Sequence, residues 1–407
     1  MAGEAGLGRD FGWLWWAFAV SALGTGLALD AIPLVAILAL GISATEVSWI
    51  SAAGAAAGAL LAVPLGPWVE FRPKRPLMIR ADLVRFLALL TVPVAYVLGV
   101  LSYVQLLVVA VMVAAADILF AGAGGAHLKA LVHERHLTTA NGRFETVRWI
   151  STAVGPPAGG ALIGMLGPVV TIVLNAVSYL LSALGLRAIT APEPAPPARS
   201  AGKVRLAEVV EGWRVIARDH VLRLLFSNTV LVAALIMATA PLLTYLMLND
   251  LGFTPLQYGL GFGIPCLGGL VGARLSAPLV RRFGQRGILL GFGVARGLWL
   301  VGLAFVGPGT GGLLVVMAVE LALIFCMGVF NPVFATYRLR NTPDDALARV
   351  LTAWTISSRA VIAAATALWG GLAWLTSTRA AIAVAGVLLI GTGALLPWRA
   401  RAAAGSP

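Results

Sequence analysis

The sequence predicts an all-α membrane protein: twelve transmembrane helices in two pseudo-symmetric six-helix bundles. Three observations carry this. Of 407 residues, 59% are hydrophobic and only 11% are charged, against about 25% charged in ordinary soluble domains. Such a composition lacks the polar surface that a secreted, cytosolic or disordered chain needs. Apolar runs of spanning length follow one another along the chain, and a bilayer core admits only helices or closed barrels. The runs are about 20 residues or longer, twice a barrel strand. Finally, the two halves of the chain repeat each other across a polar linker.

The runs fall near 12–40, 46–69, 77–100, 103–126, 146–166, 168–188, 222–247, 255–280, 287–306, 311–336, 350–375 and 379–397. The first, Phe11 to Leu40, is too long for the apolar core of a cleavable signal peptide and reads as span 1. Cations gather in alternate breaks. Arg72, Lys74 and Arg75 follow span 2; Lys129, Arg135, Arg143 and Arg148 follow span 4; Arg281, Arg282 and Arg286 follow span 8; Arg338, Arg340 and Arg349 follow span 10. Arg187 to Arg223 surround the linker, and Arg399 and Arg401 close the chain. Among the opposite breaks Arg379 is the clear exception. Basic loops mark the cytoplasmic side, so both termini are expected there, as an even number of spans requires. The net charge of +12 is thus a topology signal, and no nucleic-acid partner is expected.

The linker, residues 189–221, opens with Pro192, Pro194, Pro196 and Pro197, a stiff spacer. An amphipathic helix follows from Lys203 to Asp219. Its apolar face, Leu206, Val209, Val210, Trp213 and Ile216, is expected to rest on the membrane surface. The expected organisation is an N-terminal bundle over 1–190, a cytoplasmic linker over 191–221 and a C-terminal bundle over 222–407.

The halves align at several points. PLGPWVEFRPKR (64–75) pairs with RLSAPLVRRFGQR (274–286), and Arg85 of span 3 then corresponds to Arg296 of span 9. ANGRFETVRWIS (140–151) pairs with LARVLTAWTISS (347–358), matching Arg143 with Arg349. Two repeated sets of six spans are the pattern of a rocking secondary transporter.

These motifs resemble the major facilitator superfamily, and more narrowly its drug/proton antiporter branch, which contains the enterobactin exporter and macrolide efflux proteins. Gly66-Pro67-Trp68-Val69-Glu70, followed by Arg72, Lys74 and Arg75, is similar to the family's loop 2–3 signature, with Glu70 for the usual Asp and Phe71 where Arg is usual. Gly155-Pro156-Pro157-Ala158-Gly159-Gly160 matches the antiporter pattern GPxxGG, and Asn141 and Arg148 resemble the residues that precede it. Asn331, Arg338, Thr342-Pro343-Asp344 and Ala348-Arg349-Val350 resemble the loop 10–11 block. The resemblance covers nearly the whole chain. It implies the major facilitator fold, a central cavity at the midplane, and alternating access driven by an ion gradient.

An acid inside an apolar span costs at least about 2.5–3.5 kcal/mol. Asp30 in span 1, Asp117 in span 4 and Glu320 in span 10 are therefore proton-coupling candidates; the resemblance places those spans around the cavity. A structural ion pair or an outer-rim position is the plainer role for each. Asp82, Arg85, Arg296 and Arg359 are expected to form intramembrane charge pairs, Asp82 and Arg85 being one turn apart, with direct substrate contact by the arginines as the alternative. Glu70, Arg72, Lys74, Arg75, Glu145, Arg148 and Arg349 are candidates for a cytoplasmic gate closed by charge pairs, with plain topology as the alternative. Gly155, Pro156, Gly159 and Gly160 combine close-packing glycines with kinking prolines. Asn228, Thr229 and Tyr245 are candidate substrate-cavity groups, with interhelical bonding the equal alternative.

No GxxxxGK[ST] loop is present and only Lys74, Lys129 and Lys203 supply lysines, which argues against an ATP-driven pump. Cys266 and Cys326 lie in apolar runs without a CxxC pattern, and His133 and His136 sit among cations, so no metal or other cofactor is expected. The chain is expected to be a monomeric, proton-coupled secondary transporter of the inner or plasma membrane, not an enzyme, that exports a small amphipathic or hydrophobic molecule such as a drug, natural product or siderophore. Its partners would be that substrate, protons and the lipid bilayer. The alternatives are an uptake symporter on the same fold and a membrane-embedded lipid enzyme or scramblase.

Overall fold

A computed structural model describes residues 8–28, 31–133, 137–193, 206–342 and 344–398. The described residues hold helices and connections and no strand. In chain order the helices are α1 (Arg9–Ala28), α2 (Ala31–Leu40), α3 (Ala44–Glu70), α4 (Lys74–Val97), α5 (Tyr103–Leu131), α6 (Leu137–Leu166), α7 (Pro168–Arg187), α8 (Leu206–Arg218), α9 (His220–Tyr245), α10 (Pro255–Gly263), α11 (Cys266–Leu298), α12 (Gly309–Arg340), α13 (Asp344–Leu375) and α14 (Thr378–Gly391). Short 3-10 or π turns extend α9, α11 and α14.

A helix rises 1.5 Å per residue, so about 20 residues cross the hydrocarbon core. Among the described residues eight segments are long and apolar enough to do so. One of them, Pro255–Phe305, is 51 residues long and breaks at Gly284, whose φ of 73° is outside helical geometry. It therefore supplies two spans. The more polar α3, α4 and α6 are also of spanning length, at 27, 24 and 30 residues. With them the described residues hold twelve segments of spanning length. The span expected at 12–40 corresponds to the candidate span Arg9–Leu40.

Local sequence sets the helix starts. Ser43 and Glu46 form a reciprocal capping box at α3: Glu46 Oε2 accepts from Ser43 N at 2.8 Å and Ser43 Oγ from Glu46 N at 3.3 Å. Thr254 and Gln257 do the same for α10, at 2.9 and 3.2 Å. Ser102, Asp219 and Ser377 cap α5, α9 and α14 through single side-chain acceptors.

The chain forms two compact units, one of Met1–Ile42, Ala53–Gly202 and Thr254–Gly259, the other of Ser43–Ala52, Lys203–Phe253 and Leu260–Pro407. In the first, α7 packs on α1 and α4, α6 on α1, and α5 on α4. Phe11, Leu14, Met78, Phe120 and Leu186 belong to its core. Asp10 clasps the ends of α1 and α7 by accepting from the backbone N–H groups of Thr190 and Ala191 at 2.9 and 3.1 Å. In the second, α11 packs on α12 and α9 on α13, around Leu225, Ile288, Phe330 and Trp354.

The amphipathic linker helix α8 packs on α13. Ile216 is buried, and Trp213 Nε1 donates to Ser357 Oγ at 2.8 Å. Gly212 permits this, since a Cβ there would collide with the Arg349 carbonyl.

Candidate functional site

Both units keep charge inside their apolar bodies. In the first, α4 presents Asp82 and Arg85 one turn apart, 0% and 4% exposed. Arg85 Nη2 donates to Asp82 Oδ1 at 2.5 Å, and Nη1 donates to Asp117 Oδ1 on α5 at 2.7 Å. Ser182 Oγ of α7 donates to the second Asp82 oxygen at 2.6 Å. The guanidinium lies between two rings, 4.5 Å from Phe120 and 4.4 Å from Tyr179. Tyr179 reaches Thr25 of α1 at 2.9 Å. Groups from α4, α5 and α7 thus surround one cation, with α1 reaching the Tyr179 hydroxyl through Thr25. A buried ion needs its charge offset; two carboxylates and two aromatic faces do that here, while Arg85 Nε has no hydrogen-bond partner among the described residues.

The two acids are not equivalent. Asp82 is sealed, whereas the Asp117 side chain is 53% exposed.

The second unit uses the repeat-related arginine differently. Arg296 of α11 is 1% exposed and lies 3.7 Å from the Phe330 ring centroid. It donates through Nη2 to Asn228 Oδ1 on α9, while Asn228 Nδ2 donates to the Thr392 carbonyl at 2.8 Å. Its Nε has no partner. Among the described residues no carboxylate pairs with it, so the expected ion pair gives way to a neutral amide and a ring face. Arg359 of α13 also departs from the expected pair. It is exposed, and its one-turn neighbours Thr355, Ile356, Ile362 and Ala363 carry no acid.

Glu320 of α12 is 8% exposed. Among the described residues no hydrogen-bond or ion-pair partner reaches it. It stands ten residues before Phe330 on α12, about 15 Å along the axis. Asp30 lies outside the described residues, as do the side chains of Glu70, Asn141 and Glu145.

The remaining gate candidates are only partly brought together. Lys74 Nζ donates to the carbonyls of Val69 and Arg72 at 2.8 and 2.7 Å. Arg75 donates to the carbonyls of Leu186 and Arg187 at 3.1 and 2.8 Å. Glu193 accepts from the backbone N–H groups of both Lys74 and Arg75, the latter at 3.3 Å. A carboxylate at the first turn of a helix satisfies its orphan donors and opposes its dipole. Arg72 is exposed, Arg148 lies 5.7 Å from the Phe18 ring, and Arg349 sits on α13 against α8.

On α6 the glycine motif is spent on backbone contact. A Cβ on Gly155 would stand 2.7 Å from the Gly26 main chain, and one on Gly159 would overlap the Leu27 carbonyl. Gly160 meets the Pro255 carbonyl in the same way, and Gly259 of α10 meets that of Pro156. Of the cavity candidates, Asn228 is fully buried and serves Arg296, and Thr229 bonds back to Leu225 and Phe226 of its own helix. Tyr245 accepts from Asn249 one turn on, at 2.9 Å.

Sequence reasoning passed over Ser182, Tyr179 and Glu193. The first two leave a trace: Asn175, Ser178, Tyr179 and Ser182 form a polar stripe along an otherwise apolar α7. Glu193 is a lone acid between Pro192 and Pro194, with nothing local to name its partner.

The described residues make a polytopic helical protein with charged groups held between its helices, an architecture suited to a membrane transporter. The chain matches the Major Facilitator Superfamily model over residues 14–366 and belongs to that superfamily. The multidrug efflux pump Tap of Mycolicibacterium fortuitum is 26% identical over 336 residues, 81% of this chain and 80% of that protein. Its namesake in Mycobacterium tuberculosis is 27% identical over 325 residues, 77% and 75% of the two chains. In fold, the chain is similar to a bacterial homologue of the iron transporter ferroportin in an inward-facing state, with TM-score 0.69, 18% identity and 95% and 98% coverage. It is also similar to the nucleoside transporter NupG, with TM-score 0.72, 10% identity and the same coverages.

Proposed function

We propose that this chain is a proton-coupled exporter of the cell membrane, with both termini cytoplasmic, that moves small amphipathic or hydrophobic molecules outward by alternating access. Relatives named as multidrug efflux pumps, matched over about four fifths of both chains, support export and a small-molecule cargo. The observation that carries the coupling is Glu320, a membrane-buried carboxyl with no cation or hydrogen-bond donor among the described residues. Its neutral form suits that site, whereas its anion requires water or a partner. A carrier with such a group exchanges a proton for cargo when its surroundings change between solvated and sealed. Asp117 is the second coupling group, since it can take a proton while Asp82 keeps Arg85 neutralised. At a membrane potential of about 150 mV one charge is worth roughly 3.5 kcal/mol, enough for a gradient of about 300-fold. Glu193, Lys74 and Arg75 form the part of the gate that is held by hydrogen bonds in the first unit.

Inverted membrane vesicles test this reading. An acid lumen should drive accumulation of a fluorescent amphipathic cation in vesicles carrying the protein, and Glu320→Gln should abolish it. Accumulation driven only by the opposite gradient would identify a symporter, and accumulation indifferent to pH would end the case for proton coupling.

A further inference from the structure

Beside the hydrogen bonds of Lys74, Arg75 and Glu193, the basic end of the first unit holds a cleft of about 340 Å³ lined by Arg75, Pro76, Ile79, Arg80, Arg187 and Glu193. Its charges are unbalanced, with three guanidiniums facing one carboxylate. Arg75 is committed to the Leu186 and Arg187 carbonyls, and Glu193 to the backbone of Lys74 and Arg75. Arg80 and Arg187 are different. Both side chains are exposed, and among the described residues neither has a hydrogen-bond or ion-pair partner.

What lies beside the cleft identifies its occupant. Arg80 sits on α4 six residues beyond Lys74, about 9 Å in from the helix end. Leu83 and Leu87, one and two turns further along the same face, are exposed. Arg187 ends α7, and Leu184 and Leu181 step back from it along an exposed face. The helices pack together and run in opposite senses. Each therefore carries an apolar stripe leading away from the cleft in the same direction, with a free arginine at its head.

We propose that this cleft binds an anionic glycerophospholipid. Arg80 and Arg187 would hold the phosphodiester, and the acyl chains would follow the leucine stripes of α4 and α7. Guanidinium groups grip phosphate oxygens through paired donors, and basic recesses between spans collect acidic headgroups. The excess of cations disfavours a zwitterionic headgroup, whose ammonium would be repelled, and the leucine stripes add contacts that a soluble phosphate lacks.

The test uses the full-length protein in neutral detergent. Thermal unfolding is followed during titration with dioctanoyl phosphatidylglycerol, dioctanoyl phosphatidylcholine or inorganic phosphate. Phosphatidylglycerol should raise the transition temperature, and the other two should not at matched concentrations. The double variant Arg80→Gln, Arg187→Gln should weaken the phosphatidylglycerol midpoint about 30-fold, from two juxtamembrane cations. An equal response to phosphatidylcholine, a response to phosphate alone, or an unchanged midpoint in the variant overturns the proposal. Should the variant fail to fold, native mass spectrometry of the wild type decides. One phosphatidylglycerol should survive collisional activation that strips phosphatidylcholine, and no difference between the two lipids overturns the assignment.

Discussion

Arg85 on α4 donates to the carboxylate of Asp117 on α5 at 2.7 Å. The same guanidinium holds Asp82 at 2.5 Å, so one cation joins two helices and settles two acids. Arg296, its counterpart in the second repeat, settles none and rests on Asn228 and the Phe330 ring. The two arginines should therefore answer oppositely to replacement by methionine. Arg85→Met strands Asp82, and breaking a buried pair in this way costs about 3–5 kcal/mol. Arg296→Met strands only an amide and should be neutral or stabilising. Thermal unfolding of the two purified variants measures the contrast; equal losses would contradict the difference in their partners.

Asp82 and Asp117 should also separate. Asp82→Asn removes the sealed half of the network and should lower stability strongly, because the Ser182 hydroxyl and Arg85 both lose their anion. Asp117→Asn mimics protonation of the half-exposed acid and should leave the fold nearly as stable. Transport by that variant should depend less on the imposed pH gradient than transport by the wild type. Unfolding curves and vesicle uptake at several lumenal pH values read the two effects independently.

Glu320→Gln is expected to keep expression and thermal stability at or above the wild-type level, since it removes a buried carboxyl with no partner among the described residues. Uphill accumulation should fall at least tenfold while equilibrium binding of the same compound changes little. A variant that binds and concentrates its cargo normally would remove Glu320 from the coupling step.

The glycines of α6 divide by what faces them. Gly155→Ala drives a methyl against the Gly26 main chain, and Gly159→Ala drives one into the Leu27 carbonyl. Each should cost about 1–3 kcal/mol, as overpacking does. Gly164→Ala, five residues beyond Gly159 and facing open space, should be neutral or slightly stabilising through helix propensity. Comparing detergent-solubilised yields and unfolding temperatures of the three checks this; parity among them would mean that α1 and α6 are not in backbone contact.

Much of the architecture was legible from hydropathy, because a bilayer forces apolar runs into helices whatever their detailed sequence. The break at Gly284 and the caps at Ser43, Ser102 and Thr254 are local chemistry and can be read from a few adjacent residues. The i, i+3 spacing of Asp82 and Arg85 is equally visible. What reaches Arg85 from other helices is not. A span apolar all round gives no stripe to fix its rotation, so α5 hides that Asp117 turns toward α4 while α7 supplies Ser182. The partner of Arg296 was opaque for the opposite reason, since charge reasoning looks for an acid and finds an amide. For α8 a large apolar face suits a lipid surface and a neighbouring helix equally well, and only the small Gly212 hints at the contact with α13.

The main-chain contact between Gly26 and Gly155 has a consequence for genetics. A crowding lesion in a core is ordinarily rescued by shortening the side chain across from it, but here neither partner has anything to shorten. Selection for revertants of a Gly155 lesion should therefore return the original codon, or changes that shift a whole helix, and not compensating neighbours.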